Sequence, residues 1–562
     1  RLRFKSSRST SRPLRIGFVQ LSVCKGNMQL ASGQALACGA QQARERENSC
    51  APCAARARVA GRKVMLFAAG SRGDIQPSAA LGSALHTAGF VVRIMTNVNH
   101  VEFLRGFGLD SIGATYDMEK AMKDNMRMRD CMANGDFQAW MKGMEEINMA
   151  RFPTDLSKMI EEVDTWKPDL IISAPFMMHE ADAIAGARRI PVIHATLQCL
   201  LPSRDQQSMI GEPGWFPHLP CGTFILHAIW SGEHRVKTAA LLKQLPESKT
   251  FTSLSFRQFM LQYNHPFTPT IVGYSPTMYA AKGDWPAEAR EQTHFTGFWV
   301  VPEEEQQAKL QQEDPAFGGD DAVAIRGFLA DGPAVYLGWG SMVAVSGVHM
   351  ACLAVRSLMK AKLRGIVLGG WAKLNPSMLE GHQDSSDMKS YANSNVLFVK
   401  SAPHEWLFPQ CQATVHHGGS GTTAAALRSG VPTVITPCAF DQFDNANLAA
   451  STGAGIALRQ FSKVTVSDLA AALKRCVSDE EMVHTAKAFG QSLRAESGLS
   501  NAVSVVDNFF VDEVDSGRWL EKFERRAAEM RHLQRQRAPH WLAWFARLVC
   551  SPSPNDYSVR IG

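Results

Sequence analysis

The sequence predicts an α/β protein of two doubly wound, Rossmann-like domains that face each other across a cleft. Three observations carry that expectation. Short apolar runs alternate with helix-patterned stretches, the signature of a parallel sheet. The alternation occurs twice, on either side of a polar connection at 302–321 that contains Glu303-Glu304-Glu305 and Gly318-Gly319. The 562 residues also exceed a single hydrophobic core, at roughly 150 residues per domain.

Residues 1–62 hold 12 Lys/Arg against two acids, Glu45 and Glu47, and form a poor core. Such a leader is similar to an organelle transit peptide, and the missing initiator Met equally fits a truncated or mis-started frame. The first domain, 63–301, opens with a strand at 64–69, the turn Gly70-Ser71-Arg72-Gly73-Asp74, and a helix from about Pro77. Strands at 91–96, 169–173 and 191–196 and a helix at 155–166 continue the pattern. The stretch 200–267 breaks it and is rich in aromatics. It is expected to form an acceptor-binding wall, with Trp215, Phe216 and Trp230 as candidate contacts. The second domain, 322–512, reads as strands at 333–338, 365–368, 395–399, 413–416 and 433–436, with helices at 347–362, 422–429 and 466–476. Ligands of such sheets sit at the carboxyl ends of strands.

Composition narrows the class. Hydrophobic residues at 45%, charged residues at 20% and a mean hydropathy of -0.14 argue against an integral membrane protein. The uncharged stretch 334–355 carries Gly338, Gly340, Ser341, Gly347 and His349, so it reads as buried strand, loop and helix. The net charge of +6 collects at the chain ends and implies no nucleic acid. Cys50 and Cys53 form the only C-x-x-C, which cannot complete a zinc site alone; free thiols in a reducing, cytoplasmic compartment are expected.

The strongest motif is His416-His417-Gly418-Gly419-Ser420-Gly421-Thr422-Thr423, between an apolar strand and an Ala-rich helix. Its glycines admit an anion to backbone N–H groups, the helix start adds partial positive charge, and the hydroxyls are donors. This is the chemistry of a diphosphate cradle. It matches neither the P-loop nor the dinucleotide fingerprint. Beyond the next strand, Asp441-Gln442 suits sugar hydroxyls: the carboxylate accepts from vicinal O–H groups, and the amide both donates and accepts.

Together with Gly338-Trp339-Gly340-Ser341-Met342 and Gly70-Ser71-Arg72-Gly73-Asp74-Ile75-Gln76-Pro77, these motifs resemble the sterol 3-beta-glucosyltransferase-like group of GT-B glycosyltransferases over about 63–510. The resemblance implies a nucleotide-sugar site in the second domain, an acceptor site in the first, and inversion at the anomeric carbon. It implies glucose or another hexose from a UDP-sugar as donor, and a hydroxyl of an apolar acceptor, a sterol above all. Donor contacts carried over on it are Ser341, Ser401, Ala402, His404, His416, Gly418, Gly419, Ser420, Gly421, Thr422, Asp441 and Gln442. Ser401, Glu405 and the Asp444-Asn445-Ala446 run depart from the sterol pattern; these departures bear on the acceptor more than on the reaction.

Asp74 resembles the group's proposed base. A carboxylate there would take the acceptor proton, and the competing role is to cap the following helix with Arg72 as ion-pair partner. No metal cofactor is expected, because the helix start, His416 and nearby hydroxyls meet the leaving charge of UDP. The tail, 513–562, is basic and amphipathic, with Trp519, Phe523, Met530 and Leu533 at helical spacing. It would lie on a membrane surface or pack on the first domain. A phenolic acceptor, a nucleotide-sugar epimerase and an inactive lipid or nucleotide-sugar binding protein are the competing functions.

Overall fold

The computed structural model describes residues 61–535 apart from 135, 199–200, 202–229, 253, 280–282, 284 and 320. Residues 1–60, Cys50 and Cys53 among them, the tail beyond 535, and Trp215 and Phe216 therefore lie outside the described residues. Two all-parallel sheets form the framework. The first contains β1 (Lys63–Phe67), β2 (Val91–Asn97), β3 (Asp110–Thr115), β4 (Leu170–Ser173), β5 (Val192–Thr196), β6 (Thr270–Val272) and β7 (Thr293–Phe295) in the order 3-2-1-4-5-6-7. The second contains β8 (Val335–Gly338), β9 (Gly365–Leu368), β10 (Val396–Val399), β11 (Thr414–His416), β12 (Thr433–Ile435) and β13 (Gly455–Ala457) in the order 10-9-8-11-12-13.

Helices cover both faces of each sheet, so the central strands are apolar throughout: Val64, Met65, Leu66 and Phe67 are all buried, as are Val335, Tyr336 and Leu337. The strand order reverses beside β1 in the first sheet and beside β8 in the second. Chain following β1, β4, β8 and β11 is thereby delivered to the crevice where doubly wound sheets bind ligands. The stretch 334–355 is β8, a loop and the start of the helix Gly347–Ala361, as its glycines require.

Several expected boundaries move. The helix expected at 155–166 is the end of Phe137–Trp166, and Pro153 sits inside it. The first helix begins at Arg72, not near Pro77. The connection at 302–321 contains a helix, Glu303–Gln311, and the buried Phe317. Arg62, assigned to the leader, pairs with Asp515 and Asp169 and lies 5.4 Å over the Phe510 ring. The chain end also crosses back: Ala502, Val506, Phe509 and Phe510, placed by sequence in the second domain, share a core with Val64, Leu66 and Ile75 of the first.

The last described helix, Arg518–Arg535, settles the two roles of the basic tail as far as it runs. Its apolar stripe of Trp519, Phe523, Ala527 and Met530 is buried. Phe523 stacks on Phe251 of the first domain at 4.9 Å, and Arg526 donates to the Leu261 carbonyl at 3.1 Å. That face is occupied by protein, the packing alternative for this part of the tail; membrane contact through 536–562 lies outside the described residues. Among the described residues no helix is long and apolar enough to cross a membrane. Phe523→Ala is expected to cost about 3–5 kcal/mol in urea unfolding, against no more than ~0.5 kcal/mol for the exposed Arg531→Ala.

Candidate active site

Two helix starts meet in the cleft. In the first domain Ser71 caps Arg72–Thr87 through a reciprocal capping box: its side chain takes N–H donors of the first turn, while Asp74 Oδ2 accepts from the Ser71 N–H at 2.7 Å and its hydroxyl at 3.0 Å. Pro77 has no N–H to give the Gly73 carbonyl, which stays open at the mouth of the helix. A methyl group on Gly421, at the start of Ser420–Ser429 in the second domain, would lie 3.6 Å from that carbonyl oxygen. Asp74 thus does perform the capping that was its alternative role, from the third helical position, and only one of its oxygens is used.

The turn before Asp74 is clamped. Gly70 has φ +137, and any side chain there would strike the Asp74 carboxylate, with Oδ2 2.3 Å from an added Cβ. The fully buried Asn97 accepts from the Gly70 N–H at 2.8 Å and anchors its own amide on Thr115 Oγ1 at 2.6 Å and the Tyr116 carbonyl at 2.8 Å. His100 Nε2 meets the Gly70 carbonyl at 3.1 Å. Arg72, expected to pair with Asp74, does not: its Nε donates to Gln76, and its guanidinium sits 5.0 Å over Phe103 and 5.1 Å over Phe317. Burial lowers its pKa to about 10, with Asp314 partly restoring it.

On the facing side Gly418 has φ +93, and an added Cβ would meet Ile435 at 2.7 Å and the Gln442 carbonyl at 2.9 Å. The Gly418 N–H donates to His416 Nδ1 at 3.0 Å, so the neutral ring carries its proton on Nε2, which is buried with no partner among the described residues. Burial holds His416 well below the ordinary imidazole range, and holds His417 at about 4. His404 is spent on the scaffold: it meets Tyr336 Oη at 3.2 Å and stacks on Phe408 at 4.5 Å, and burial followed by the charge of Arg72 lowers it to about 3.

The hydroxyl of Ser420, expected to face a phosphate, instead donates at 2.8 Å to the Leu197 carbonyl just past β5. It ties the domains together, leaving the N–H groups of the helix start and the half-buried Thr422 as the remaining donors. Gln442 is likewise partly committed: Oε1 accepts from the N–H of Cys438 at 2.8 Å and of Ala439 at 3.1 Å, fixing the loop that carries Asp441. Asp441 accepts from Asn445 Nδ2 at 2.9 Å. Desolvation raises its pKa to about 7, reinforced by the charges of Asp74 and Asp444, while desolvation raises Asp74 to about 6 against the pull of its Ser71 bonds. The charge of Asp74 thus reaches Asp441 across the cleft.

Asn445, not singled out by its motif, organises this side. It accepts from Tyr274 Oη of the first domain at 2.9 Å and donates to the Gly418 carbonyl at 2.8 Å as well as to Asp441. Among the other candidates, Ser341 follows β8 half-buried, and the Lys400 and Ser401 N–H groups, at the expected base pocket, donate to Asp321 Oδ2 at 2.6 and 3.2 Å. Ala402 packs beside them against the core around Leu407 and Phe408. Trp230 lies apart, packed on Phe256 at 6.1 Å. Near it a cavity of about 50 Å³ in the first domain is lined by Met178, His234, Phe259 and Val272 among others.

Two facing parallel sheets with glycine turns at their switch points define a GT-B architecture, and the backbone agrees. The glycotransferase of kitacinnamycin matches with a TM-score of 0.54 and 16% identity, covering 80% of this chain and 99% of that one. CalG4, the calicheamicin glycosyltransferase, matches with a TM-score of 0.52 and 14% identity, covering 80% and 98%. Residues 379–502 match the family described as Erythromycin biosynthesis protein CIII-like, C-terminal domain.

Within that class the sequence is similar to sterol 3-beta-glucosyltransferases. It is 28% identical over 466 residues to that of Debaryomyces hansenii, covering 78% of this chain and 26% of that protein. It is 29% identical over 474 residues to that of Leptosphaeria maculans, covering 82% and 29%, and 28% identical over 473 residues to that of Saccharomyces cerevisiae, covering 79% and 35%. The match thus spans between a quarter and about a third of these relatives' length.

Replacing Asn445 by Ala strands the buried Tyr274 hydroxyl and the Gly418 carbonyl, each at roughly 1–3 kcal/mol. Urea unfolding is expected to register a loss in that range or above it. An unchanged midpoint would deny the residue its organising role.

Proposed function

We propose that the protein transfers glucose, or another hexose, from a UDP-sugar to a hydroxyl of an apolar acceptor, with inversion and without a metal ion. The observation that carries this is the meeting of Asp74 with the glycine turn and Asp441 at one point of the cleft. In the step envisaged, the acceptor oxygen attacks the anomeric carbon as the bond from that carbon to the diphosphate oxygen breaks. The electron pair leaves with UDP, and the acceptor proton passes to the free oxygen of Asp74.

The diphosphate would rest on the N–H groups of Gly419–Thr422 and the positive end of that helix. His416 Nε2–H is an unspent donor at its base. Because His404, His416 and His417 are held neutral, fixed positive charge comes from Arg72 and the helix dipole. Asp441 and the Nε2 group of Gln442 would hold the hexose hydroxyls. A sterol acceptor is supported by the sterol 3-beta-glucosyltransferase relatives and by the largely apolar cavity of the first domain.

The test is a product assay with UDP-glucose and a sterol-containing lipid extract. A new glucoside is expected; conversion of the donor sugar without any acceptor would favour an epimerase. Asp74→Asn is expected to lower kcat by ~10²–10⁴ while UDP still binds. A base must be ionised, and Asp74 titrates at about 6, so activity should fall as pH drops through that value and hold above it. A profile flat from pH 5 to 8 would remove Asp74 from the role.

A further inference from the structure

Behind the Asp74 turn lies a second cavity, of about 30 Å³, whose lining departs from that of an apolar acceptor pocket. Its wall includes Ala69 and Asn97, the neighbours that hold Gly70. Charged and polar side chains dominate one side: Tyr116, Asn148, Asp155, Glu180, Glu233 and Lys237. Four methionines, Met118, Met144, Met159 and Met177, form an adaptable apolar remainder.

The hydrogen-bonding account of these groups is incomplete in a specific way. Lys237 Nζ is committed to both oxygens of Glu180 at 3.0 Å and to the Phe176 carbonyl at 3.1 Å, with Glu233 at 3.9 Å. Two carboxyl groups thus share one ammonium; Asp155, which takes the Tyr116 N–H, lines the same wall, and acceptor capacity remains on it and on Glu233. Burial raises both, Glu233 to about 7. Asn148 is only 4% exposed, and its Nδ2 donor is buried with no partner among the described residues. An unpaired buried amide is costly, so it marks a place for something to bind.

An anion would be repelled by the carboxylates. An ammonium would satisfy them and leave Asn148 unpaired. An apolar group would satisfy neither. A hydroxyl does both, accepting from Asn148 and donating to a carboxylate.

Resting on the proposed transfer to an alcohol, we infer that this cavity is a second acceptor subsite that takes a distal hydroxyl, so the preferred acceptor is an apolar molecule with at least two hydroxyls. One is glycosylated at Asp74. The other is held by Asn148 and the buried acids.

The test uses the full chain and two steroids of one skeleton, a 3-hydroxysteroid and its counterpart with a second hydroxyl on the side chain. Binding is measured by calorimetric titration, and kcat/KM with UDP-glucose. The diol is expected to bind at least tenfold more tightly, and Asn148→Leu to reduce the diol-to-monool ratio about tenfold; Asn148→Asp, which replaces the donor by an acceptor, serves if the Leu variant does not fold. Equal binding of the two steroids, as for a cavity that holds only water, overturns the inference. So does a variant that weakens both alike. Preferential diol binding with no sugar transferred would keep the subsite and sink the transfer, whereas transfer without preference would do the reverse.

Discussion

The side chain of Asn445 carries more of this architecture than any motif residue. Its oxygen accepts from Tyr274 of the first domain, and its two amide hydrogens go to the Gly418 carbonyl and to Asp441. The spacing of the domains, the shape of the glycine turn and the orientation of the cleft carboxylate therefore hang on one fully used amide. Each bond contributes modestly, but each partner is buried and would be expensive to leave unpaired. Ser420 and Leu197 add a second tie, and the edge contact of Trp140 with Phe440 at 5.5 Å a third. Phe440 adopts φ +57, unusual for a bulky residue, immediately before Asp441. Packing from the opposite domain holds it there.

The electrostatics of the cleft follow from what these ties enclose. Asp74 and Asp441 lie in poorly hydrated space, so burial pushes both above the usual carboxylate range, and the charges of Asp74 and Asp444 push Asp441 further. Three imidazoles nearby are kept uncharged by the same burial. A diphosphate entering the cleft would meet directed N–H donors, one buried guanidinium and no imidazolium. Such an environment binds anions through preorganised dipoles, with little reorganisation as charge develops.

Much of the fold was legible in the sequence because central parallel strands are buried on both faces and read as continuous apolar runs. β9 fell on its expected residues, and β1, β8, β10 and β11 fell within a residue or two of theirs. The strands β3, β6, β7 and β13 escaped notice: they lie towards the sheet edges, the last three span only three residues each, and polar residues such as Asp110 and His294 are not detected by apolar patterning. At the site, the glycine turn and the Asp441-Gln442 pair could be read from local chemistry, whereas local chemistry made Asp74 a helix cap and only the resemblance pointed to a base. Asn97 and Asn445 could not be read, since their partners lie 27 and 171 residues away and only folding brings them near. The commitment of Ser420 and Gln442 to backbone partners was hidden for the same reason. Arg72 looked like a partner for Asp74 by proximity in sequence, but a helix start points successive side chains in different directions, and two aromatic rings claimed it.

The most direct test of this account is a crystal structure of the Asp74→Asn protein grown with UDP-glucose. The account predicts diphosphate density against the N–H groups of Gly419–Thr422, with the hexose between residue 74 and Asp441. Diphosphate bound away from that helix start, or a hexose directed away from residue 74, would contradict it.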